Sequence, residues 1–188
     1  MAAPAALHFT GNDEADALIA RDPLALLIGF ALDQQVTVQK AFSGPLELER
    51  RLGTLDPGRI ATTDPAELER VFREKPALHR FPGAMATRTR DLCAVIVEEY
   101  GGRAERIWTE AADWADLKRR LAALPGFGDM KVRSTLAVLA KRYDVRLPGL
   151  DAVLPGHPTL GDVDSPEALE SYQAAKRAYK AAQRAASA

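Results

Sequence analysis

Apolar residues recur three and four positions apart through most of this chain, in runs cut at intervals by Pro and Gly, which predicts many short helices joined by tight turns. No stretch shows the strict alternation that marks a strand. Asn12 stands where it can cap a first short helix, and Pro23 opens a second whose Leu24, Leu27, Ile28 and Ala31 share one buried face. A third helix is expected from about Thr37, broken near Ser43, Gly44 and Pro45, with the period resuming over Leu46 to Leu52. Asp56-Pro57 and Asp64-Pro65 each set a capping carboxylate before a proline tolerated in the first turn, so two more helices start there. Pro76, Pro82 and Gly83 make 75–83 a loop, after which a long helix with Leu92, Val95 and Ile96 as its buried stripe runs from about Ala84 to Tyr100 and stops at Gly101 and Gly102. Helices over about 113–123 and 129–142 flank Leu124-Pro125-Gly126-Phe127-Gly128, making a helix, a hairpin and a helix. An irregular stretch, 147–161, precedes a final helix opened by Ser165 and Pro166, rich in Ala, Lys and Arg and expected to fray at its end. The fold class is therefore all-α, and 188 residues suit one compact unit or two tightly packed lobes.

Composition narrows the setting. A chain 47% hydrophobic and 27% charged has the makings of an ordinary globular core. It holds no run near the roughly 20 apolar residues of a bilayer span, and its N-terminus lacks the pattern of a signal peptide, so no membrane contact and a cytoplasmic location are expected. The only cysteine, Cys93, can make neither an internal disulfide nor an iron–sulfur site, and its apolar surroundings predict a buried thiol. His8, His79 and His157 fall in predicted loops without metal-ligand spacing and are expected at the surface, with His79 and Arg80, beside Phe81, in reach of a nucleic acid. Trp108 and Trp114 suit lobe packing, or an aromatic wall for an extruded base.

The net charge of −1 argues against indiscriminate polyanion binding, yet the charge is unevenly spread. Residues 1–70 carry 6 Lys and Arg against 11 Asp and Glu, whereas 115–147 carry 8 (Lys118, Arg119, Arg120, Lys131, Arg133, Lys141, Arg142 and Arg146) against 3. A local positive field of that kind suits phosphate contact, and it equally suits the solvated faces of amphipathic helices.

The hairpin is the most chemically suggestive segment. Gly126 and Gly128 allow backbone angles closed to other residues and bare main-chain N–H groups at the electropositive start of the next helix, where a phosphate is favoured by hydrogen bonds and dipole together. Lys131 and Arg133 add charge nearby. Such contacts fix a protein on a nucleic-acid backbone without reading sequence, although the same five residues also suit a plain helix-to-helix turn.

Leu124-Pro125-Gly126-Phe127-Gly128, with basic residues just beyond, resembles the hairpin of the helix-hairpin-helix (HhH-GPD) DNA glycosylase superfamily. Leu26 to Ala41, containing Asp33-Gln34-Gln35-Val36-Thr37-Val38, is similar to the apolar helix ending in Gln-Gln-x-Ser/Thr-Val near the start of the alkyladenine-type members. Phe81 to Leu92, with Gly83, Arg88 and Arg90, is similar in character to the helix start that precedes their hairpin. Together these cover roughly residues 23–154.

The resemblance implies a two-lobed helical protein whose cleft holds double-stranded DNA containing a damaged or modified base. It implies a hairpin (Gly126, Phe127, Gly128) gripping the lesion strand, with a monovalent cation bound there in many members. Gln34 or Gln35 would enter the gap left by the extruded nucleotide, with Arg88, Lys131 and Arg133 as further DNA contacts. Cleaving a base from its sugar builds positive charge on the ring, which a fixed carboxylate stabilises. The family's aspartate matches Asp151, after Leu147-Pro148-Gly149-Leu150, with Asp144 as the alternative; Asp151 also suits a helix cap. The helix before Asp151 is about one turn longer than the family's, and Ala152-Val153 departs from the common continuation. At the position where strand-cutting members carry a Schiff-base lysine this chain has Met130, and Lys131, about 100° further round, is expected to face elsewhere. A monomeric, nucleoid-associated, monofunctional glycosylase without cofactor follows, alkylated purines being the substrates that the Gln-Gln motif suggests. An inactive DNA-binding module of the same fold is the alternative, and a helical protein that binds no nucleic acid is the third.

Overall fold

The computed structural model describes residues 4–149, 154 and 157–186. Among these it holds ten α-helices and no strand: α1 (Asp13–Arg21), α2 (Pro23–Leu32), α3 (Val38–Leu52), α4 (Pro57–Thr62), α5 (Pro65–Arg73), α6 (Pro82–Tyr100), α7 (Arg106–Thr109), α8 (Trp114–Ala122), α9 (Asp129–Arg142) and α10 (Pro166–Ala186), with a 3-10 turn at Leu160–Asp162. The protein is all-helical, and no helix among the described residues is long and apolar enough to cross a membrane.

The helix starts follow local capping chemistry. Asn12, Asp22, Thr37, Asp56, Asp64 and Asp113 each accept a hydrogen bond from a first-turn amide of the helix they precede, an arrangement worth about 1 kcal/mol apiece. Gly101 ends α6 in the left-handed region at φ 61°, as the sequence predicts. Helix α2 is buried on all sides except at Pro23, which makes it the central element, against which α1, α3 and α6 pack. Helices α4 and α5 lie on α6, while α8 and the 3-10 turn lie on α9. The buried apolar residues from Leu7 to Leu169 form one connected core.

Two ties join distant parts of the chain. The Tyr143 hydroxyl, at the end of α9, donates to the Ile19 carbonyl of α1 at 2.8 Å inside the core. Asp16, buried on α1, accepts from the Phe9 and Thr10 amides and the Thr10 hydroxyl, pinning the segment before α1.

The break expected near Pro45 is absent: α3 runs unbroken through it. Proline forfeits one helical N–H bond there, but Phe42, Leu46 and Leu48 hold their places in the core only while the helix continues. Gly44 makes the packing possible, because a Cβ on it would stand 2.5 Å from Leu32 Cδ1. Helix α7 carries no sequence signal, being only four residues long, and is held by the buried Ile107 and Trp108. Trp114 and Cys93 are fully buried, and burial pushes the Cys93 thiol up to about 12.

Candidate functional site

The hairpin lies at the surface. Gly126 and Gly128 are exposed while Phe127, between them, plugs the core. Gly126 has φ 83°, the left-handed conformation that Cβ-bearing residues avoid, and the Phe127 amide closes the turn on the Leu124 carbonyl at 3.1 Å. No side chain caps α9, and open space lies where Gly128 would carry a Cβ. The start of α9 thus presents its amides and dipole to solvent.

Opposite the hairpin, the two glutamines that follow α2 are treated differently. The Arg88 guanidinium donates to Gln34 Oε1 at 2.5 Å, so Gln34 is held inward. Arg88 also lies over the hairpin, since a Cβ on Gly126 would stand 2.4 Å from its Cδ. One arginine on α6 therefore spans the glutamine loop and the hairpin. Gln35, by contrast, is exposed and left-handed at φ 55°, a conformation rare for a residue with a side chain.

His79 corrects the surface placement expected for it, being 2% exposed. The Phe81 N–H donates to its Nδ1 at 3.0 Å, which leaves the proton on Nε2. That Nε2–H points between the Leu32 carbonyl at 3.1 Å and the Gln34 carbonyl at 3.0 Å. The imidazole thereby satisfies the end of α2 and fixes the backbone that carries Gln35. Burial depresses its pKa below 6.5, an effect larger than the opposing carbonyl contacts, so the neutral ring is the structural form. The loop that delivers His79 is itself held by Arg51, which donates to the Val71, Glu74 and Pro76 carbonyls. Neighbouring Arg80 and Phe81 do stay exposed, with the guanidinium 5.3 Å from the ring centroid.

Lys131 does not sit on the outer face beside the hairpin. Its ammonium reaches across to the Ala31 carbonyl at 2.9 Å, completing the last turn of α2, and burial with Arg88 nearby brings its pKa down to about 8 against the pull of Asp33. It lines a cavity of about 350 Å³ between the glutamine loop, the first turns of α9, residues 157–159 and α10. Gln35 and Met130 line the same cavity, the latter 66% exposed, so Met130 and Lys131 share a space despite their angular separation on the helix. The roughly 100° of helix between them is offset by the length of the lysine side chain. Phe30 and Val36 supply apolar wall, and Tyr172 and Lys176 of α10 complete it, the Lys176 ammonium lying 5.5 Å from the Tyr172 ring centroid.

The basic excess of 115–147 is largely paired. Arg119 and Arg120 meet Asp116, Arg133 meets Asp129, Lys141 meets Asp162 and Arg146 meets Asp144. Asp144, the alternative acid, is exposed on that pair beyond the C-terminus of α9. Ser134 is the last α9 residue in the cavity lining, and the eight helical steps from it to Arg142, at about 1.5 Å each, put the end of α9 about 12 Å along the axis, so Asp144 does not line the cavity. Asp151 lies outside the described residues, and His157 and Thr159, a few positions further along the chain, line the cavity. Among the described residues no cluster of His, Cys, Asp and Glu suits a metal ion.

The hairpin, Gln35, Arg88 and Lys131 are therefore brought together, while Gln34 and Arg88 are spent largely on each other. The contributions of His79, Tyr172 and Lys176 carried no signal in the sequence, because each depends on a contact between elements far apart in the chain. No family model, curated protein or solved structure matches the chain.

Proposed function

We propose that this protein is a DNA-binding base excision repair protein of the two-lobed helix-hairpin-helix glycosylase type, a monofunctional enzyme that extrudes and hydrolyses a damaged or modified base. The observation that carries this reading is a juxtaposition. An exposed glycine hairpin at an uncapped helix start is tied through Arg88 to the glutamine loop, whose left-handed, exposed Gln35 lines one small cavity with the first turns of α9. Gripping a strand needs donors that any phosphate satisfies, and holding an extruded nucleotide out of the stack needs a side chain to fill the gap. The hairpin amides suit the first task and Gln35 the second, with Gln34 as its internal anchor. A cavity of about 350 Å³ is at the small end of ligand sites, which run from roughly 300 to 1,000 Å³, and suits a single nucleobase. Asp151 is the carboxylate assigned to stabilise charge on the sugar and orient water.

The test is base release from duplexes carrying single lesions. Asp151→Asn abolishes release and keeps salt-dependent binding, and borohydride traps no covalent complex, because Met130 stands at the lyase position and the Lys131 ammonium is engaged by Ala31. A chain that binds no duplex DNA at any salt concentration refutes the proposal.

A further inference from the structure

Gln34 is held at three points, all of them internal. Its N–H donates to the Leu32 carbonyl at 2.7 Å, its own carbonyl accepts from His79 Nε2 at 3.0 Å, and its Oε1 accepts from the Arg88 guanidinium. Gln35, the next residue, makes no hydrogen bond among the described residues, yet it stands exposed in the left-handed region at φ 55°. A residue with a Cβ keeps that conformation only where its surroundings impose it. The imposition comes through Gln34: the peptide that joins the two residues is fixed at its carbonyl by a buried ring, and the side chain just ahead of it is fixed by Arg88.

Arg88 has the longer reach of these two clamps. Its stem passes over Gly126, where an added Cβ would stand 2.4 Å from Cδ and 2.7 Å from Nε, and its Nη1 ends on Gln34. The side chain thus sets the glutamine loop at a fixed place relative to the hairpin, and α6, buried through Met85, Thr89 and Leu92, supplies a rigid base. Two roles compete for a guanidinium so placed. Its partners among the described residues are Gln34 Oε1 and the Met85 sulfur, with no carboxylate, so its charge suits a phosphate. Against that, a guanidinium bonded inward through Nη1 and lodged over Gly126 is oriented by the protein itself, as a strut requires, and swinging out to a strand would surrender its hold on Gln34.

We infer that Arg88 is a positioning residue: through Gln34 it holds Gln35 in the exposed, left-handed form that fills the space beside an extruded nucleotide, and neither Arg88 nor Gln34 touches DNA. The inference rests on the base-excision reading, and it withdraws two residues from the DNA contacts that the resemblance implies. A side chain ordered before the strand arrives needs no ordering at the moment of binding, so the clamp acts on the preference for a gap in the stack and leaves general affinity alone.

The experiment uses the full chain and two duplexes of one sequence, one intact and one with a single tetrahydrofuran abasic analogue, which supplies the gap whatever the substrate base is. Affinities for both are measured across a salt series, and the readout is their ratio. Wild type prefers the gapped duplex. Arg88→Ala, Gln34→Ala and Gln35→Ala each lower that preference about 5-fold or more, the low end of what strain released at a left-handed residue makes available, and leave the salt slope unchanged. In a Gln35→Ala background Arg88→Ala lowers it no further, because it acts through that side chain. Gln34→Glu, which keeps an oxygen for the guanidinium, holds the preference within about 2-fold of wild type. Gln34→Ala removes the acceptor while keeping the Arg88 charge, so it tests the strut even if Arg88→Ala fails to fold. A salt slope reduced by about 0.9 in Arg88→Ala, with both duplexes weakened alike, marks a phosphate contact and overturns the inference. Full preference in Gln34→Ala, or losses that add in the double variant, also overturn it, and in all three cases the base-excision reading stands. A wild-type chain with no preference for the gapped duplex overturns both.

Discussion

Arg88 bridges the glutamine loop and the hairpin, and that bridge is measurable by substituting Gly126 with Ala. The substitution meets two obstacles. A Cβ-bearing residue at φ 83° costs about 1–2 kcal/mol of backbone strain. The new methyl would also stand 2.4 Å from Arg88 Cδ and 2.7 Å from Nε, so the arginine must swing away and surrender its bond to Gln34 Oε1. A hydrogen bond to a charged group contributes about 1.5–3 kcal/mol net, and Arg88 is only half-buried, which favours the lower end. The expected loss is therefore about 3 kcal/mol for G126A. In an Arg88→Ala background nothing remains to displace, and the same change costs only the backbone part, about 1–2 kcal/mol. Urea denaturation of wild type, both single variants and the double variant gives the coupling directly, provided the four share one m value. Two costs that add within about 0.5 kcal/mol would refute the bridge, since additivity is the signature of residues that do not interact.

Two further predictions concern the supports of the site. The neutral His79 has a folded pKa below its ordinary 6.5, so its contribution to stability is fully present above pH 6.5 and drains away as the pH falls through the depressed value. Melting temperatures of wild type and His79→Asn measured from pH 7.5 to 4.5 should converge on acidification, and parallel curves would contradict the buried neutral ring. At Gly161 an added Cβ would sit 2.5 Å from the Ala137 carbonyl oxygen and 2.6 Å from its carbon, backbone atoms that no rotamer change can move. Gly161→Ala should cost about 1–3 kcal/mol by overpacking and push the 3-10 turn off α9, and a loss under about 0.5 kcal/mol in denaturant would show that the turn yields freely.

Helix starts were legible because an aspartate or asparagine ahead of a first turn acts within four residues, and its energy does not wait on the rest of the fold. The same holds for the stop at Gly101 and for the hairpin glycines. Pro45 misled because its local cost is real but smaller than the burial of Phe42, Leu46 and Leu48, a gain visible only once α2 lies alongside. His79 misled for a related reason: a histidine in a Pro-flanked loop reads as exposed, and what buries it is a pair of carbonyls more than 40 residues away. Lys131 was placed correctly on its helix and wrongly in space, because four methylenes carry the ammonium further than a turn of helix can predict.

The fate of the basic excess decides how such a surface could hold DNA. Counting charges along 115–147 suggests a broad electropositive face, but five of its eight cations already face carboxylates. Exposed pairs of this kind are worth only about 0–1 kcal/mol, so a phosphate can displace a carboxylate at little cost, yet the displaced carboxylate stays nearby and repels the strand. The net gain per exchanged cation is small. On the proposed reading, affinity would then come mainly from neutral donors that carry no counter-charge, and the amides at the start of α9 are donors of that kind, with no side chain capping the helix. Such donors act only on a strand brought into contact, and they contribute little attraction at a distance. On the proposed base-excision reading, a protein with net charge −1 that bound in this way would gain little from coating undamaged DNA and would depend on contacts made where a nucleotide leaves the stack.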